Sequence, residues 1–393
     1  MQGTTSASLS IRRHAVPIAG SVALLGVFMA MSLWILPVMH HPRGWSYSMD
    51  IWDYLQLAHL ADIGAYSSIY GQLTLGTTPG IVVLLTPVWW IAHSAGMSVS
   101  FDFMLRHPTA WLILGPYEAL LCAPALFAVD ATAVRLGASS VRRVVICAAE
   151  VYALYNVLVW GHPEDAVAVA CLLYACLAAR EQRWSRFGWL VGAAIAFQPF
   201  VLLALPPLLL GAGWKRLPGL VVRILAPTLL LLILPLMMNW QVTISALTNQ
   251  ATYPSLNRPT PWLHFAPTLG HSGYVGLTAV TATGDGPARL LAIFSCLILG
   301  ILFRQVLNDL SMLIAVIALG LSLWCAFETV IAPYYVWPPI AVALISISTL
   351  RRSQCLLVVA FALVADIASN AKLHTEWVWW VIVAALAALL AAS

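Results

Sequence analysis

Charged residues are scarce in this sequence: only 9% of its 393 residues are Asp, Glu, Lys or Arg. A soluble globular protein carries about 25% charged residues, so this class is excluded. Hydrophobic residues instead make up 61% of the chain, and its mean hydropathy is +0.89. They are gathered in apolar runs of about 17–25 residues, the length that crosses a bilayer as a helix. Because backbone groups inside lipid must be hydrogen-bonded within their own segment, we predict an all-α polytopic membrane protein.

The sequence also lacks the short motifs of several function classes. It has no P-loop, no Rossmann glycine motif, no Ser-His-Asp signature and no HExxH zinc motif. Nothing in it indicates nucleic-acid binding, so no nucleic-acid partner is expected. The seven cysteines fall in or beside apolar runs. Their spacing matches neither a metal site nor a disulfide framework, and we interpret them as small core residues.

The apolar runs predict about 10–12 transmembrane helices in a single integral membrane domain, residues 1–393. The first run is too long for a cleavable signal peptide, so we expect a retained helix. The runs that we expect to span the membrane are residues 15–38, 109–130, 143–160, 166–180, 217–239, 288–304, 309–327, 331–350, 355–371 and 376–392.

Basic residues indicate how the protein is oriented. Arg12 and Arg13 precede the first run and place the N-terminus in the cytoplasm by the positive-inside rule. Later basic clusters also fall on the cytoplasmic side if the apolar stretch 79–96 does not cross the membrane. We therefore predict that 79–96 is a half-embedded juxtamembrane helix within a long first external loop, residues 39–108.

A second apolar stretch, residues 188–211, begins and ends beside cytoplasmic basic residues, so it must cross the membrane twice or not at all. Gln198-Pro199 lies at its middle, where proline removes a helix donor and clashes with the preceding turn. We interpret the stretch as a broken pair of half-helices that meet inside the membrane. A single kinked helix is the alternative, and it would reverse the orientation of everything downstream.

Under this topology most acids face outward, together with the two long external loops, residues 39–108 and 240–287. Both loops are rich in Tyr, Trp, Thr, Pro and His, and loops of such length are usually functional. We therefore expect a functional site on the extracytoplasmic face of the plasma (cytoplasmic) membrane.

The first candidate motif follows the first run, where Asp50 and Asp53 are three residues apart. A helix beginning here would place both carboxylates near one face. One carboxylate could then act as a general base on an acceptor hydroxyl, while the other orients that hydroxyl or holds a cation. The alternative is that Asp50 or Ser48 only caps the helix that follows.

The second motif is the run His162-Pro163-Glu164-Asp165 at the outer end of a predicted helix. His162, Glu164 and Asp165 could bind a cation, a sugar hydroxyl or a phosphate-bound metal. The alternative is an ordinary helix start, because proline in the first position and acids in the first turn suit the helix dipole. There is no His-x-x-x-His spacing, so a structural zinc site is not expected.

The third motif lies in the second external loop, over residues 249–262 and just beyond. Its amide, hydroxyl and aromatic groups suit sugar recognition, and an arginine there could hold a phosphate. The alternative is a rigid proline-bearing loop whose Tyr and Trp anchor to headgroups. The candidate sugar- and phosphate-binding residues of this region are Tyr253, Asn257, Arg258, Trp262, His264 and Arg289.

Two weaker sets complete the candidates. Glu328 with Tyr334 and Tyr335 forms an outer corner between two runs, which interfacial aromatics alone explain. Glu150 and Asp366 lie deeper in apolar runs. Acids inside a membrane tend to be functional or paired, but no partner is obvious in the sequence.

Together these motifs resemble the GT-C glycosyltransferases, and most nearly glycosyltransferase family 87 and related actinobacterial mannosyl- and arabinosyltransferases of the cell envelope. The resemblance covers roughly residues 15–240 and depends on the order and spacing of short motifs. One departure is that Gln198-Pro199 stands where the family has Lys-Pro. The matching positions are Asp50, Tyr54, Gly64 and Tyr70, then Thr78-Pro79-Gly80, Gly161-His162-Pro163-Glu164, and Gly188, Gly192 and Gln198-Pro199.

The resemblance implies a GT-C fold and inverting transfer of mannose or arabinose from a polyprenyl-phosphate donor to a glycolipid or glycan acceptor. It makes Asp50 the general base and leaves Gln198 near the donor phosphate, where another cation must replace the missing lysine charge. No nucleotide cofactor is implied, and a divalent cation such as Mg²⁺ or Mn²⁺ is a candidate. A lipid or sugar transporter of the envelope remains the alternative function, because half-helices meeting at mid-membrane also form transport sites.

Overall fold

The computed structural model describes residues 13–32, 50–70, 78–97, 108–248, 251–252, 258–266, 268–274, 277–283, 287–306, 309–371 and 375–393. Within these ranges the chain is mainly helical, with short 3₁₀ segments between some helices. The helices are α1 (Ala15–Ala30), α2 (Ile51–Asp62), α3 (Tyr66–Ile69), α4 (Pro79–Ser94), α5 (Pro108–Arg135), α6 (Ser140–Trp160), α7 (Pro163–Arg180), α8 (Trp184–Phe197), α9 (Leu205–Ala212), α10 (Leu217–Thr248), α11 (Pro287–Leu302), α12 (Leu310–Phe327), α13 (Trp337–Leu344), α14 (Arg352–Asn370) and α15 (Glu376–Ala392).

Five of these helices are long and apolar enough to cross a membrane: α5, α6, α10, α12 and α14. Shorter apolar helical segments lie among them. The helical, membrane-crossing architecture agrees with the fold class that the apolar runs predict.

Local sequence explains where the central helices begin and end. Ser139 caps α6 by accepting a hydrogen bond from the Arg142 amide, and α6 ends at Gly161, whose φ of 81° is left-handed. Pro163 then opens α7 at a position where a helix needs no amide donor. Two helices therefore meet at a sharp turn of two residues, Gly161 and His162.

The stretch 188–211 is interrupted at Gln198-Pro199, as its proline predicts. α8 ends at Gln198, whose backbone is extended (φ −151°), and a 3₁₀ segment from Pro199 to Ala204 leads into α9. Proline disfavours helical geometry in the residue before it and cannot donate to the preceding turn. The side chain of Gln198 therefore projects from a helix end.

The core of the bundle is built around α7, which packs against α5 and α8. Most of α7 is buried, and many of its buried residues are alanines. α8 in turn crosses α10 at Gly192, where a Cβ atom would stand 2.6 Å from the Ile224 carbonyl oxygen. Small residues allow helix axes to approach closely where lipid supplies no hydrophobic drive for association.

Arginines cluster at one end of the bundle. Arg143 forms a two-pronged ion pair with Asp130, with both N–O distances 2.7 Å, and donates to the Arg13 carbonyl. Arg142 donates to the carbonyls of Ser348 and Leu350. These contacts tie the same ends of α1, α5, α6 and α13–α14 together, whereas the α6–α7 turn lies at the opposite end.

Short strands occur outside the helices, which the all-α prediction did not include. They are β1 (Ala251–Thr252), β2 (Arg258–Pro259), β3 (Thr268–Tyr274), β4 (Leu277–Thr283) and β5 (Val330–Ile331). β3 and β4 form an antiparallel hairpin to which β1 adds, and β2 pairs with β5. Threonine and valine in Leu277–Thr283 favour strand geometry, but a hairpin this short gives little signal beside long apolar runs.

The first residues of the predicted second external loop, 240–287, are helical, because α10 continues to Thr248. This helix is kinked at Asn239, which has a φ of −154°. The Asn239 side chain accepts a hydrogen bond from the Val242 amide at 3.3 Å and so caps the segment beyond the kink.

Candidate functional site

Asp50 lies against the α6–α7 turn. Its amide donates to the Trp160 carbonyl at 3.0 Å, and a Cβ atom at Gly161 would stand 2.7 Å from the Ile51 amide. Glycine at 161 therefore serves both the left-handed turn and this close approach. The Asp50 side chain makes no capping bond to α2; instead Oδ2 lies 2.9 Å from His162 Nε2. Capping thus does not account for this carboxylate, which remains 18% exposed.

His162 connects Asp50 to groups buried behind it. Its Nδ1 lies 2.8 Å from Glu164 Oε1 and 3.1 Å from the Tyr54 hydroxyl. The imidazole is buried and stacks on the Tyr334 ring at 3.7 Å. Burial alone lowers the pKa of His162. The Glu164 charge and the hydrogen bonds with Asp50 and Glu164 raise this pKa by more than burial lowers it, to about 10. The charged imidazolium then donates to a carboxylate on each side.

Glu164 and Asp165 form the floor of the site. Both carboxylates are buried in the first turn of α7, and the Gln198 amide donates to Glu164 Oε1 at 3.3 Å. Glu164 Oε2 and both Asp165 oxygens have no hydrogen-bond partner among the described residues. Pro163, Glu164 and Asp165 therefore do begin a helix, as the alternative interpretation of this motif has it. An ordinary helix start does not explain why these three carboxylate oxygens are buried without a partner in the described part of the chain.

The same floor could hold a cation. His162, Glu164 and Asp165 each offer one ligand atom, and these atoms lie within 4.8 Å of one another. Carboxylate oxygens suit Mg²⁺ and Mn²⁺, so the oxygens without partners fit such an ion. A protonated imidazole cannot bind a metal, so the raised pKa of His162 leaves the carboxylates of Glu164 and Asp165 as the candidate ligands. Burial and the Glu164 charge raise the pKa of Asp165, and the charge of a bound cation would favour its ionised form.

A second polar group lies beyond the aromatic residues of this site. Arg289, in the first turn of α11, is 3.8 Å from Glu328 Oε1. Glu328 is buried and accepts from the Trp324 indole at 2.8 Å. Tyr335 lies within electrostatic range of Arg289, Glu328 and Asp165. Arg289 is therefore a cation that pairs with Glu328 beside the aromatic residues of the site.

Stacked rings join the two polar groups. Phe200 stacks on Trp324 at 4.8 Å, Trp324 lies 4.3 Å from Tyr335, and Tyr335 contacts Tyr334 edge-on at 4.8 Å. Tyr334 then stacks on His162. Phe200 follows the Gln198-Pro199 break, so the break also positions one end of this row of rings.

The structure brings Asp50, His162, Glu164, Asp165 and Gln198 together and leaves other predicted residues apart from them. Arg258 is buried, and its Nε and Nη2 donate to the Ala371 carbonyl at 3.2 and 2.8 Å. Trp262 donates to the Ala326 carbonyl at 2.7 Å, and exposed His264 pairs with Glu376 at 2.7 Å. These three side chains hold the second loop to α12, α14 and α15.

Three predicted residues cannot be placed in the site. Tyr253 and Asn257 lie outside the described residues. Asp53 lies in the first turn of α2, and the structure does not describe its side chain. The predicted partnership of Asp50 with Asp53 therefore remains a prediction.

Sequence reasoning missed the contacts of Phe200, Trp324 and the two tyrosines around His162. The motif Tyr334-Tyr335 was visible but indistinguishable from interfacial aromatics. Phe200 and Trp324 lie inside apolar runs, where an aromatic residue gives no separate signal. Only the break at Gln198-Pro199 pointed toward Phe200.

Comparison of the chain with protein-family models and with curated proteins finds no match.

Proposed function

We propose that the protein is a glycosyltransferase that moves a sugar from a polyprenyl-phosphate donor to a glycolipid or glycan acceptor, with Asp50 as the general base. One observation carries the proposal: the Asp50 carboxylate is held by His162 at 2.9 Å instead of capping its helix, and it remains partly exposed. A base must be fixed by its neighbours and still reach the hydroxyl that it deprotonates. The GT-C resemblance makes the same residue the base.

The reaction needs one proton transfer and one displacement. Asp50 accepts the proton of the acceptor hydroxyl as that oxygen bonds to the anomeric carbon of the sugar. The bond between this carbon and the phosphate oxygen breaks, and its electron pair leaves with polyprenyl phosphate. Attack opposite the leaving group inverts the anomeric centre, and His162 keeps the carboxylate oriented throughout.

The leaving phosphate needs positive charge or hydrogen-bond donors nearby. Gln198 supplies an amide where the glycosyltransferases that the sequence resembles have lysine, so it donates without a full charge. Arg289 is our candidate for the missing charge, since Tyr335 lies within electrostatic range of both Arg289 and Asp165. A divalent cation on Glu164 and Asp165 would add charge stabilisation when bound. We propose that the site faces the extracytoplasmic side of the plasma membrane.

The test is sugar transfer by the purified protein in nanodiscs. Polyprenyl-phosphate mannose and polyprenyl-phosphate arabinose would be supplied in separate reactions with pooled envelope glycolipids as acceptor. We expect transfer from one donor, and a decrease of roughly 10²–10⁴-fold in Asp50→Asn, the usual contribution of a general base.

Asp309→Asn is the matched control. Asp309 is an exposed carboxylate that caps α12, and asparagine caps a helix equally well. This variant should keep wild-type transfer. Activity that survives in a folded Asp50→Asn protein would move the base to another acid, and no transfer from either donor would contradict the proposed reaction.

A second candidate function, transport of a lipid or sugar, is favoured by one contact. The break between α8 and the 3₁₀ segment lies beside buried Glu164, which Gln198 contacts. Broken helices beside ionisable groups form the substrate sites of many transporters. Flux in proteoliposomes that needs Glu164, together with no sugar transfer, would favour this function.

A further inference from the structure

A groove lies on the side of the bundle, between α6, α13 and α14. Its volume is about 340 Å³, within the roughly 300–1,000 Å³ range of ligand pockets. Ile340 and Leu344 of α13 contribute large side chains to it, and α6 and α14 supply the remaining lining residues. With the exceptions of Tyr152 and Asp366, the lining side chains are apolar.

Alanines create the groove. Ala149 and Ala153 of α6 and Ala362 of α14 line it, at positions where larger side chains would fill the space between the helices. α6 and α14 both pack on α13, which lies between them. The groove is thus a consequence of small residues facing each other across α13.

The groove opens toward lipid. α6 and α14 are both long and apolar enough to cross a membrane. Large apolar side chains beside the groove are exposed, among them Val145, Leu363, Val364 and Ile367. In a bilayer such a surface is covered by hydrocarbon chains, so the occupant that fits the lining is a lipid chain.

Polar side chains define one end of the groove. Asp366 is buried and accepts from the Asn156 amide at 2.6 Å, and Tyr152 also interacts with Asp366. Asn156 lies one helical turn before Trp160, whose carbonyl accepts from Asp50. On α14, Ser369 donates to the Pro333 carbonyl at 3.4 Å, next to Tyr334. This end of the groove therefore adjoins the Asp50 side of the candidate site.

The candidate cation for the donor phosphate lies on other helices. Arg289 belongs to α11, which packs against α9 and α12, whereas the groove belongs to α6, α13 and α14. In the proposed reaction the acceptor hydroxyl must lie at Asp50 and the donor phosphate near Arg289. The position of the groove thus favours the acceptor over the donor.

We propose that this groove binds one acyl chain of a membrane-anchored acceptor lipid. The identity of that lipid as the acceptor rests on the proposed function. The Asp366–Asn156 pair marks the end of the chain site that adjoins Asp50. The acceptor hydroxyl would extend beyond this pair toward Asp50.

Photocrosslinking of the intact protein in nanodiscs tests the binding without requiring turnover. The probe is phosphatidylglycerol with a diazirine in one acyl chain, and labelled peptides are identified by mass spectrometry. We expect labels on residues 145–153 and 359–366. Ala149→Phe and Ala362→Phe should each reduce them about tenfold, the loss expected when about two methylene groups lose their apolar contact.

Val364→Phe is the matched control, because Val364 is exposed on α14 and does not line the groove. It should leave the labelling unchanged. Two separate groove-filling variants are used so that misfolding of one, detected by gel filtration, does not remove the test. Labelling that persists in a folded groove-filling variant would overturn the proposal.

Competition with unlabelled polyprenyl phosphate distinguishes the two lipids. We expect it to leave the groove labels in place, and loss of the labels would assign the groove to the donor and overturn the acceptor assignment. Labelling without any sugar transfer would leave the acyl-chain site standing and contradict the proposed function. Sugar transfer without groove labelling would support the proposed function and overturn the acyl-chain site.

Discussion

His162 determines what the Asp50 carboxylate can do, because it contacts Asp50 through one nitrogen and Glu164 through the other. Replacing His162 with asparagine removes both contacts but leaves Asp50 itself unchanged. Misplacement of a reacting group costs up to about 10²-fold in rate. We therefore predict that His162→Asn lowers kcat of sugar transfer by about 10–100-fold, with a smaller change in KM. An equal rise in KM at constant kcat would mean that His162 binds substrate instead of positioning the base.

The stability of the same variant, relative to wild type, should depend on pH. The pKa of His162 is raised to about 10 by its two carboxylates, from an unfolded value near 6.5. Its contribution to stability is thus fully present below about pH 6.5 and is lost as the pH rises toward 10. The difference in Tm between wild type and His162→Asn should narrow over that range. A Tm difference that stays constant from pH 6.5 to pH 10 would contradict a charged His162 in the folded protein.

Two arginines that looked equivalent in the sequence should behave differently. Arg258 is buried and donates twice to the Ala371 carbonyl, so Arg258→Gln should lower stability by about 1.5–3 kcal/mol, as for other hydrogen bonds of charged groups. Arg289→Gln should instead raise KM for the polyprenyl-phosphate donor. Thermal unfolding and donor titration of both variants separate the roles. If Arg258→Gln instead raised the KM for the donor and left stability unchanged, Arg258 would be assigned to binding of the donor phosphate.

Among the secondary-structure elements, α4 is held against the broken helix by a close backbone contact. A Cβ atom at Gly80 would stand 2.6 Å from the Ala196 carbonyl oxygen, and Thr78 donates to the Phe197 carbonyl. Ala196 and Phe197 immediately precede Gln198, so α4 supports the end of α8 that carries the Glu164 contact.

We predict that Gly80→Ala pushes α4 away from α8 and costs about 1–3 kcal/mol, the usual effect of overpacking. Thermal unfolding in detergent measures this loss. Gly26→Ala is the matched control, because a Cβ atom at Gly26 on α1 meets nothing within 4 Å and alanine is a better helix former. Equal destabilisation by both variants would show that general glycine effects, not the α4–α8 contact, are responsible.

The elements themselves were the most predictable part of the fold. Runs such as 309–327 and 376–392 correspond closely to α12 and α15, because length and apolarity alone decide a membrane helix. The break at Gln198-Pro199 was predictable from proline chemistry. The strand pairing of Arg258 with Ile331 was not, since it joins residues far apart in the chain and involves only two residues on each side.

For the whole molecule, the first prediction concerns sidedness. Ser67 and Ser185 are both exposed. Ser67 lies in α3, which follows the helix that begins after Asp50, and Ser185 lies in the first turn of α8, next to Arg183 and Arg186. In separate Ser67→Cys and Ser185→Cys proteins, a membrane-impermeant maleimide added to intact cells should label only residue 67. Residue 185 should react after permeabilisation. Wild type controls for its own cysteines, most of which are buried.

The opposite labelling pattern would place Asp50 in the cytoplasm and remove the basis for an extracytoplasmic reaction. Labelling of both residues from one side would show that an even number of spans separates them. That result would favour an α4 that crosses the membrane fully instead of lying half-embedded.

Only part of the candidate site could be predicted from the sequence. Asp50 and the His162-Pro163-Glu164-Asp165 run stood out as polar motifs in an apolar chain. Their mutual contact did not, because 112 residues separate Asp50 from His162 and no local pattern encodes that pairing. The same holds for Asn156 and Asp366, whose separation is 210 residues. Each was visible as a polar residue, and only the helix packing supplies its partner.

The contacts of Arg142 have a consequence for biosynthesis. Its guanidinium is completed by the carbonyls of Ser348 and Leu350, more than 200 residues later in the chain. At about 5–20 residues per second of translation, the ribosome needs roughly 10–40 s to deliver them. During that interval α6 has already been synthesised, and the Arg142 guanidinium can form hydrogen bonds with water and lipid headgroups but not yet with these two carbonyls. The bundle therefore closes at this end late in synthesis, and a ribosome stalled before residue 348 would expose an arginine that quality-control proteases could recognise.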